Sequence, residues 1–211
     1  MVDQVELLES ANAVSTSGLQ KLGMPEIAVS INDSALIPEI KAFLEFVIRY
    51  LSKSSKRINS GETIQYGFWV VLFQRNPVGI LEVWEYAPDG KGFVLGCDVT
   101  LRCWREQHHI CNLSKADFAP PNPDQLVVIS EGVFEGLAVQ GVRYPSPEHM
   151  SGWWITTDRY DGNIKSLKHE HCYHLCAKRP DLTKYLALPH GYRFDLARGQ
   201  DVWFDENVSK G

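Results

Sequence analysis

A chain of 211 residues, 44% hydrophobic and 22% charged, suffices for one large domain or two small ones, with a core that needs neither disulfide nor metal. Its formal net charge of −5 disfavours direct binding to nucleic acid, which wants a basic face, and leaves room for a basic protein partner. Five irregularly spaced cysteines (Cys97, Cys103, Cys111, Cys172, Cys176), no basic segment followed by an apolar run at the start, and no apolar stretch of about 18 residues predict a cytoplasmic protein with reduced thiols and no membrane contact.

The first 30 residues show no strong period. Ser34 reads as an N-cap with Pro38 in the first turn, and Ile37, Ile40, Phe43, Leu44, Val47, Ile48 and Leu51 recur at helical spacing. That spacing predicts an amphipathic helix over 35–52, ended by the polar run SKSSKRINSGE. Tyr66 to Gln74 is aromatic and β-branched. The turn RNPVG, a strand from Gly79 to Tyr86, the turn APDGKG and a longer strand from Phe93 to Arg105 follow. Three consecutive hairpin-like strands predict an antiparallel sheet. DFAPPNPD is a Pro-rich break, either an interdomain linker or a long surface loop, and Leu126 to Ser130 and Phe134 to Val142 read as short strands.

After YPSPEH comes a strand at Trp153 to Thr156, a turn at Asp158 to Asn163 and a helix from Ile164 to Lys178. A short helix from Pro180 to Leu186, the turn Leu188-Pro189-His190-Gly191 and closing strands at Tyr192–Leu196 and Val202–Phe204 complete the chain. The expected fold class is α+β: an N-terminal helix on an antiparallel sheet in residues 1–145, then a compact C-terminal α+β module in residues 146–211. Charge is uneven. Residues 1–60 carry a net of −1, residues 61–150 a net of −5 and residues 151–211 a net of +1. Ordinary solubility is the commoner explanation of such an imbalance.

Evident catalytic chemistry is missing. No nucleophile elbow or phosphate loop occurs. His169, His171, Cys172, His174 and Cys176 are ligand types that zinc accepts, but on one predicted helix they fall on neighbouring faces, whereas structural zinc draws ligand pairs from separate elements. The reading is no metal and no cofactor, with the histidines bonded locally and the cysteines packed as small hydrophobes. His108 and His109 near Cys111 read as a polar turn at a strand end. Glu82 and Glu85 point to opposite faces of a strand and form no acid/base couple. Of Trp153 and Trp154, one faces the core; the other is an interface anchor or, more commonly, packs within the fold.

The segments Ser151-Gly152-Trp153-Trp154, Asp158–Gly162, Arg179-Pro180-Asp181, Leu188-Pro189, Gly191-Tyr192-Arg193-Phe194 and Trp203-Phe204-Asp205 together resemble the domain of bacterial immunity proteins of family thirty-three of the polymorphic-toxin types. The resemblance covers about the last third of the chain. It implies a protein that binds and neutralises a cognate toxin, some members guarding against nuclease effectors of type VI secretion, and it brings no catalytic residues. A guard expected in the cytosol meets toxins that act on nucleic acids, nucleotides or translation, and an acidic guard suits a basic nuclease, a DNase first of all. The expected contact residues are Glu131 and Glu135 around the EGVFEG turn, with Asp158, Tyr160 and Asp161 beside the Trp pair, because loops on a rigid scaffold carry recognition. Two rival readings are a metal-dependent hydrolase built on the His/Cys segment and an adaptor or ligand-binding module unconnected with toxins.

Overall fold

The structure is a computed structural model and describes residues 5–53, 57–87, 91–199 and 201–210. The middle of the expected APDGKG turn and part of the expected polar loop lie outside the described residues. The content is mixed α+β, and the chain divides into two compact units, Met1–Arg105 and Glu106–Gly211.

The first unit opens with three strands, β1 (Glu6–Glu9), β2 (Ala13–Ser17) and β3 (Ile27–Ser30). Helix α1 (Ile37–Lys53) follows a 3-10 turn at Ser34–Leu36. The cap of that turn is Asp33, whose carboxylate accepts from Ala35 N, so the expected cap Ser34 lies inside it. β4 (Thr63–Tyr66), β5 (Trp69–Arg75) and β6 (Leu81–Tyr86) form a meander, and the short β7 (Phe93–Leu95) pairs with β6. The order is β1-β2-β3-β6-β5-β4. The apolar stripe of α1, Ile40, Phe43, Leu44, Val47 and Leu51, shares one core with Val14, Val29, Val71, Phe73 and Val83 of the sheet. A helix on a sheet is therefore present, but the sheet is mixed rather than purely antiparallel, because β3 runs parallel to β6.

The long strand expected at Phe93–Arg105 stops at Leu95. From Asp98 the chain is helix α2 (Asp98–Leu113), and His108, His109 and Cys111 stand on it rather than at a strand end. The buried residues Cys97, Leu101 and Cys111 fit a helical period. Two distant carboxylates fix the turn into the helix. Glu85, 4% exposed, accepts from Val99 N and Thr100 N, which a helix start leaves free, and Asp98 accepts from Asn32 N and Asp33 N. Burial raises the Glu85 pKa, opposed by those same hydrogen bonds.

The second unit holds β8 (Leu126–Ile129), β9 (Gln140–Arg143), β10 (Met150–Thr156), β11 (Lys168–His171), helix α3 (Cys172–Lys178), β12 (Tyr192–Asp195), β13 (Asp201–Phe204) and the single turn α4 (Glu206–Ser209). The order is β11-β8-β10-β9-β12-β13, with β8 parallel to β10 and every other neighbour antiparallel. The expected boundary at 145/146 thus falls inside this unit, since β8 and β9 flank the central β10. The Pro-rich DFAPPNPD is not a linker between units; its Ala119 N donates to Ala187 O. The helix expected at Ile164–Lys178 is helical only from Cys172. Its first half is a 3-10 turn and the edge strand β11, because Lys168–His171 pairs residue by residue with Leu126–Ile129.

Candidate functional site

Strand directions gather all five expected contact residues at one end of the second sheet. β8 and β10 run parallel, so the turns leaving their C-termini, 130–137 and 157–163, emerge side by side. β12 runs the same way, which brings the loop 196–199 to that end, and antiparallel β13 starts there.

The two turns are cross-braced by buried polar groups. Ser130 Oγ accepts from Thr157 N at 3.0 Å, and Thr157 Oγ1 donates to Glu131 O at 2.6 Å. Gly132 has φ +90°, and a Cβ there would strike Leu137 and Thr157, so the bend needs glycine. Arg179, 8% exposed, grips the far side of the turn: Nη1 donates to Val133 O and Leu137 O, while Nε and Nη2 hold Asp181 bidentately at 2.9 and 2.8 Å. The hydrogen bonds from Arg179 hold the Asp181 carboxyl below its ordinary range. Lys178 lies 4.2 Å from the centre of the Phe134 ring.

Glu131, Glu135, Asp158 and Asp161 are exposed on this frame, and Tyr160 is half-buried. Asp161 bends its own turn by accepting from Asn163 N. Glu131 lies 3.5 Å from Arg159, with both side chains more than half exposed, a pairing that water screens almost entirely. Asp158 borders a cleft of about 190 Å³ walled by Gln140, Thr156, Ala197 and Arg198. Beneath the loop wall, Asp195 accepts from Gln140 Nε2, Ala197 N and Arg198 N.

The Trp pair divides as alternation requires. Trp153 is wholly buried, donates Nε1 to Leu186 O and packs on Phe194, while Trp154 is half-buried, edge-on to Tyr144. The His/Cys segment is split between elements, with His169 and His171 on β11 and Cys172, His174 and Cys176 on α3. Cys172 and Cys176 are buried, and burial pushes the Cys172 thiol up to about 12 and the Cys111 thiol up to about 11. Among the described residues no group of three or more His, Cys, Asp or Glu side chains is placed to hold a metal ion. No helix among them is long and apolar enough to cross a membrane.

The organising residue that sequence reading missed is Arg143, 5% exposed. Its Nη1 donates to Ala119 O, Leu186 O and Leu188 O and its Nε to Ser151 O, gathering two loops and β10. Burial pushes this guanidinium down to about 10, still charged at neutral pH. An isolated arginine in a four-residue strand carries no sequence signal of such a role. Arg179, by contrast, stood in the quoted Arg-Pro-Asp segment.

Comparison with curated proteins and with solved structures finds no match. A family model described as Imm33-like domain matches residues 106–205, beginning where the second unit begins and covering all of its strands. The second unit of this chain is therefore similar to the Imm33-like domain, a match over residues 106–205 that supports an immunity family thirty-three assignment.

Proposed function

We propose that this chain binds a cognate antibacterial toxin and neutralises it by direct contact, as a binding protein rather than an enzyme, without metal or cofactor. The partner inferred is a basic nuclease domain that acts in the cytoplasm, a DNase effector of type VI secretion. The observation that carries this reading is the rigid, carboxylate-bearing end of an Imm33-like sheet. The second unit holds 14 acidic against 11 basic residues. Two of those bases are withdrawn from the surface, Arg143 onto carbonyls and Arg179 onto Asp181. A DNA-handling toxin carries Lys and Arg for phosphate, and carboxylates displayed opposite compete for the same groups. Glu131, Glu135, Asp158 and Asp161 supply them, and Tyr160 adds an aromatic surface with little entropy to lose.

Charge reversal tests the assignment. Glu131→Lys with Glu135→Lys, and separately Asp158→Lys with Asp161→Lys, leave the braces untouched, since those use backbone atoms of Glu131 and the side chains of Ser130, Thr157 and Arg179. Asp161→Lys removes only the Asn163 contact. Each double variant is expected to keep its circular dichroism and to bind any toxin domain that an adjacent reading frame encodes about tenfold more weakly at low salt, chiefly through slower association. Wild-type affinity and association rate in both variants would remove these loops from the interface.

A further inference from the structure

We infer that the open edge of β13 accepts an extended segment of the toxin as an added strand, with a Lys or Arg of that segment set against Asp201. The inference rests on the toxin reading above and names the part of the toxin's chain that the site takes. β13 ends the strand order of its sheet. In its antiparallel ladder with β12, Asp205 N donates to Gly191 O, and by alternation Asp201 and Trp203 bond inward. Val202 and Phe204 therefore turn their N–H and C=O groups to the open side, two donors and two acceptors in strand register.

Sequence decorates this edge differently from β1, β4 and β11, while the short β7 also leaves apolar Val94 and Leu95 exposed. Edge strands are commonly blunted by charge or Pro. β1 carries Glu6 and Glu9, β11 starts at Lys168, and β4 presents the polar Thr63 and Gln65. β13 shows a large aromatic ring on each face instead: Trp203 is 42% and Phe204 49% exposed. The strand is held ready. Phe204 lies over Gly191 and is tilted against Tyr192, with ring centres 5.4 Å apart. Asp205 caps α4 through Asn207 N and lies 2.8 Å from Arg193 Nε, an ion pair whose angle does not make a hydrogen bond. A rigid edge flanked by aromatic anchors costs a partner strand little ordering on the protein's side.

Charge selects the occupant. In a symmetric pairing with a second copy, the register that uses both outward residues sets Val202 opposite Phe204, and Asp201 then faces Asp205 at each end, a repulsive cross-strand pair. A foreign strand with a cation opposite Asp201 meets no such repulsion. Asp201 also starts β13 at the end of the sheet that carries Glu131 and Asp158, and Arg198 and Asp158 wall one cleft between them. Loop contact and strand addition are thus two parts of one continuous surface.

Val202→Pro in the full chain is the direct test. It deletes one outward N–H while the bonds to β12, made by Asp201 and Trp203, stay. Binding of a toxin domain that an adjacent frame encodes, measured by titration calorimetry, is expected to weaken at least tenfold with the thermal midpoint unchanged. Should Val202→Pro disturb the sheet, Trp203→Ala, which removes a ring already 42% exposed, carries the same expectation. Wild-type binding with undiminished binding by the folded variants overturns the edge assignment alone. Absence of binding by the wild type overturns the toxin reading, and the edge assignment with it. A wild-type dimer that Val202→Pro dissociates would make a second copy the occupant and contradict the inference.

Discussion

Replacing Arg143 with Met is expected to cost about 4 kcal/mol in the stability of the second unit, a large share of the roughly 5–15 kcal/mol that holds a domain together. Met keeps much of the aliphatic volume, so the loss comes from polar groups. Ala119 O, Ser151 O and Leu188 O lose the Arg143 donor, whereas Leu186 O keeps Trp153 Nε1. Each buried acceptor left without its bond costs about 1–3 kcal/mol, offset in part by no longer burying a charge without a carboxylate beside it. Lys is expected to rescue little, because one ammonium cannot reproduce a fork aimed at four carbonyls. Urea unfolding separates the outcomes: the transition assigned to the second unit should move to lower urea, with faster reaction of the Cys111 and Cys172 thiols. A shift worth less than about 1 kcal/mol, with thiol reactivity unchanged, would show that the clamp is dispensable.

Gly141→Ala is expected to destabilise the same unit by about 3 kcal/mol. A Cβ at Gly141 would sit inside the Phe194 ring across the β9–β12 pair. That ring cannot easily retreat. It is stacked on Tyr185 with centres 4.7 Å apart and tilted against Trp153 at 5.3 Å. Phe194→Leu opens the space at its own cost, and in that background the alanine should cost under about 1 kcal/mol, a coupling that a double-mutant cycle reads directly. Equal penalties for Gly141→Ala in both backgrounds would mean that the glycine serves the backbone and not the ring.

What the sequence disclosed follows from where the information sits. The apolar stripe from Ile40 to Leu51 writes a helix in one segment, and the strands at β8, β10, β12 and β13 are short runs bounded by turn residues, so local pattern located them. Phe93–Arg105 misled because Val99, Leu101 and Cys103 alternate as a strand would. The helix there starts on Asp98, and its first free N–H groups are met by Glu85, 13 residues before. Likewise Lys168–His171 has helical neighbours and is a strand only because β8 lies alongside. Ser- and Thr-rich β2 hides its burial, since Thr16 is 3% exposed yet hydrogen-bonded to Glu26. The misplaced boundary has the same origin: proline-rich stretches read as linkers, and nothing local announces that Arg143 fastens one of them to Leu186 and Leu188. The exposed carboxylates and Tyr160 could be named from sequence, but their gathering at one end of a sheet depends on strand order.

Amide hydrogen exchange of the full chain, with and without a toxin domain that an adjacent reading frame encodes, tests the central claim most directly. Toxin is predicted to slow exchange in residues 130–137 and 157–163 and at Val202 and Phe204, with Met1–Arg105 unchanged. Slowed exchange confined to Met1–Arg105, or no change anywhere at saturating toxin, would contradict the account.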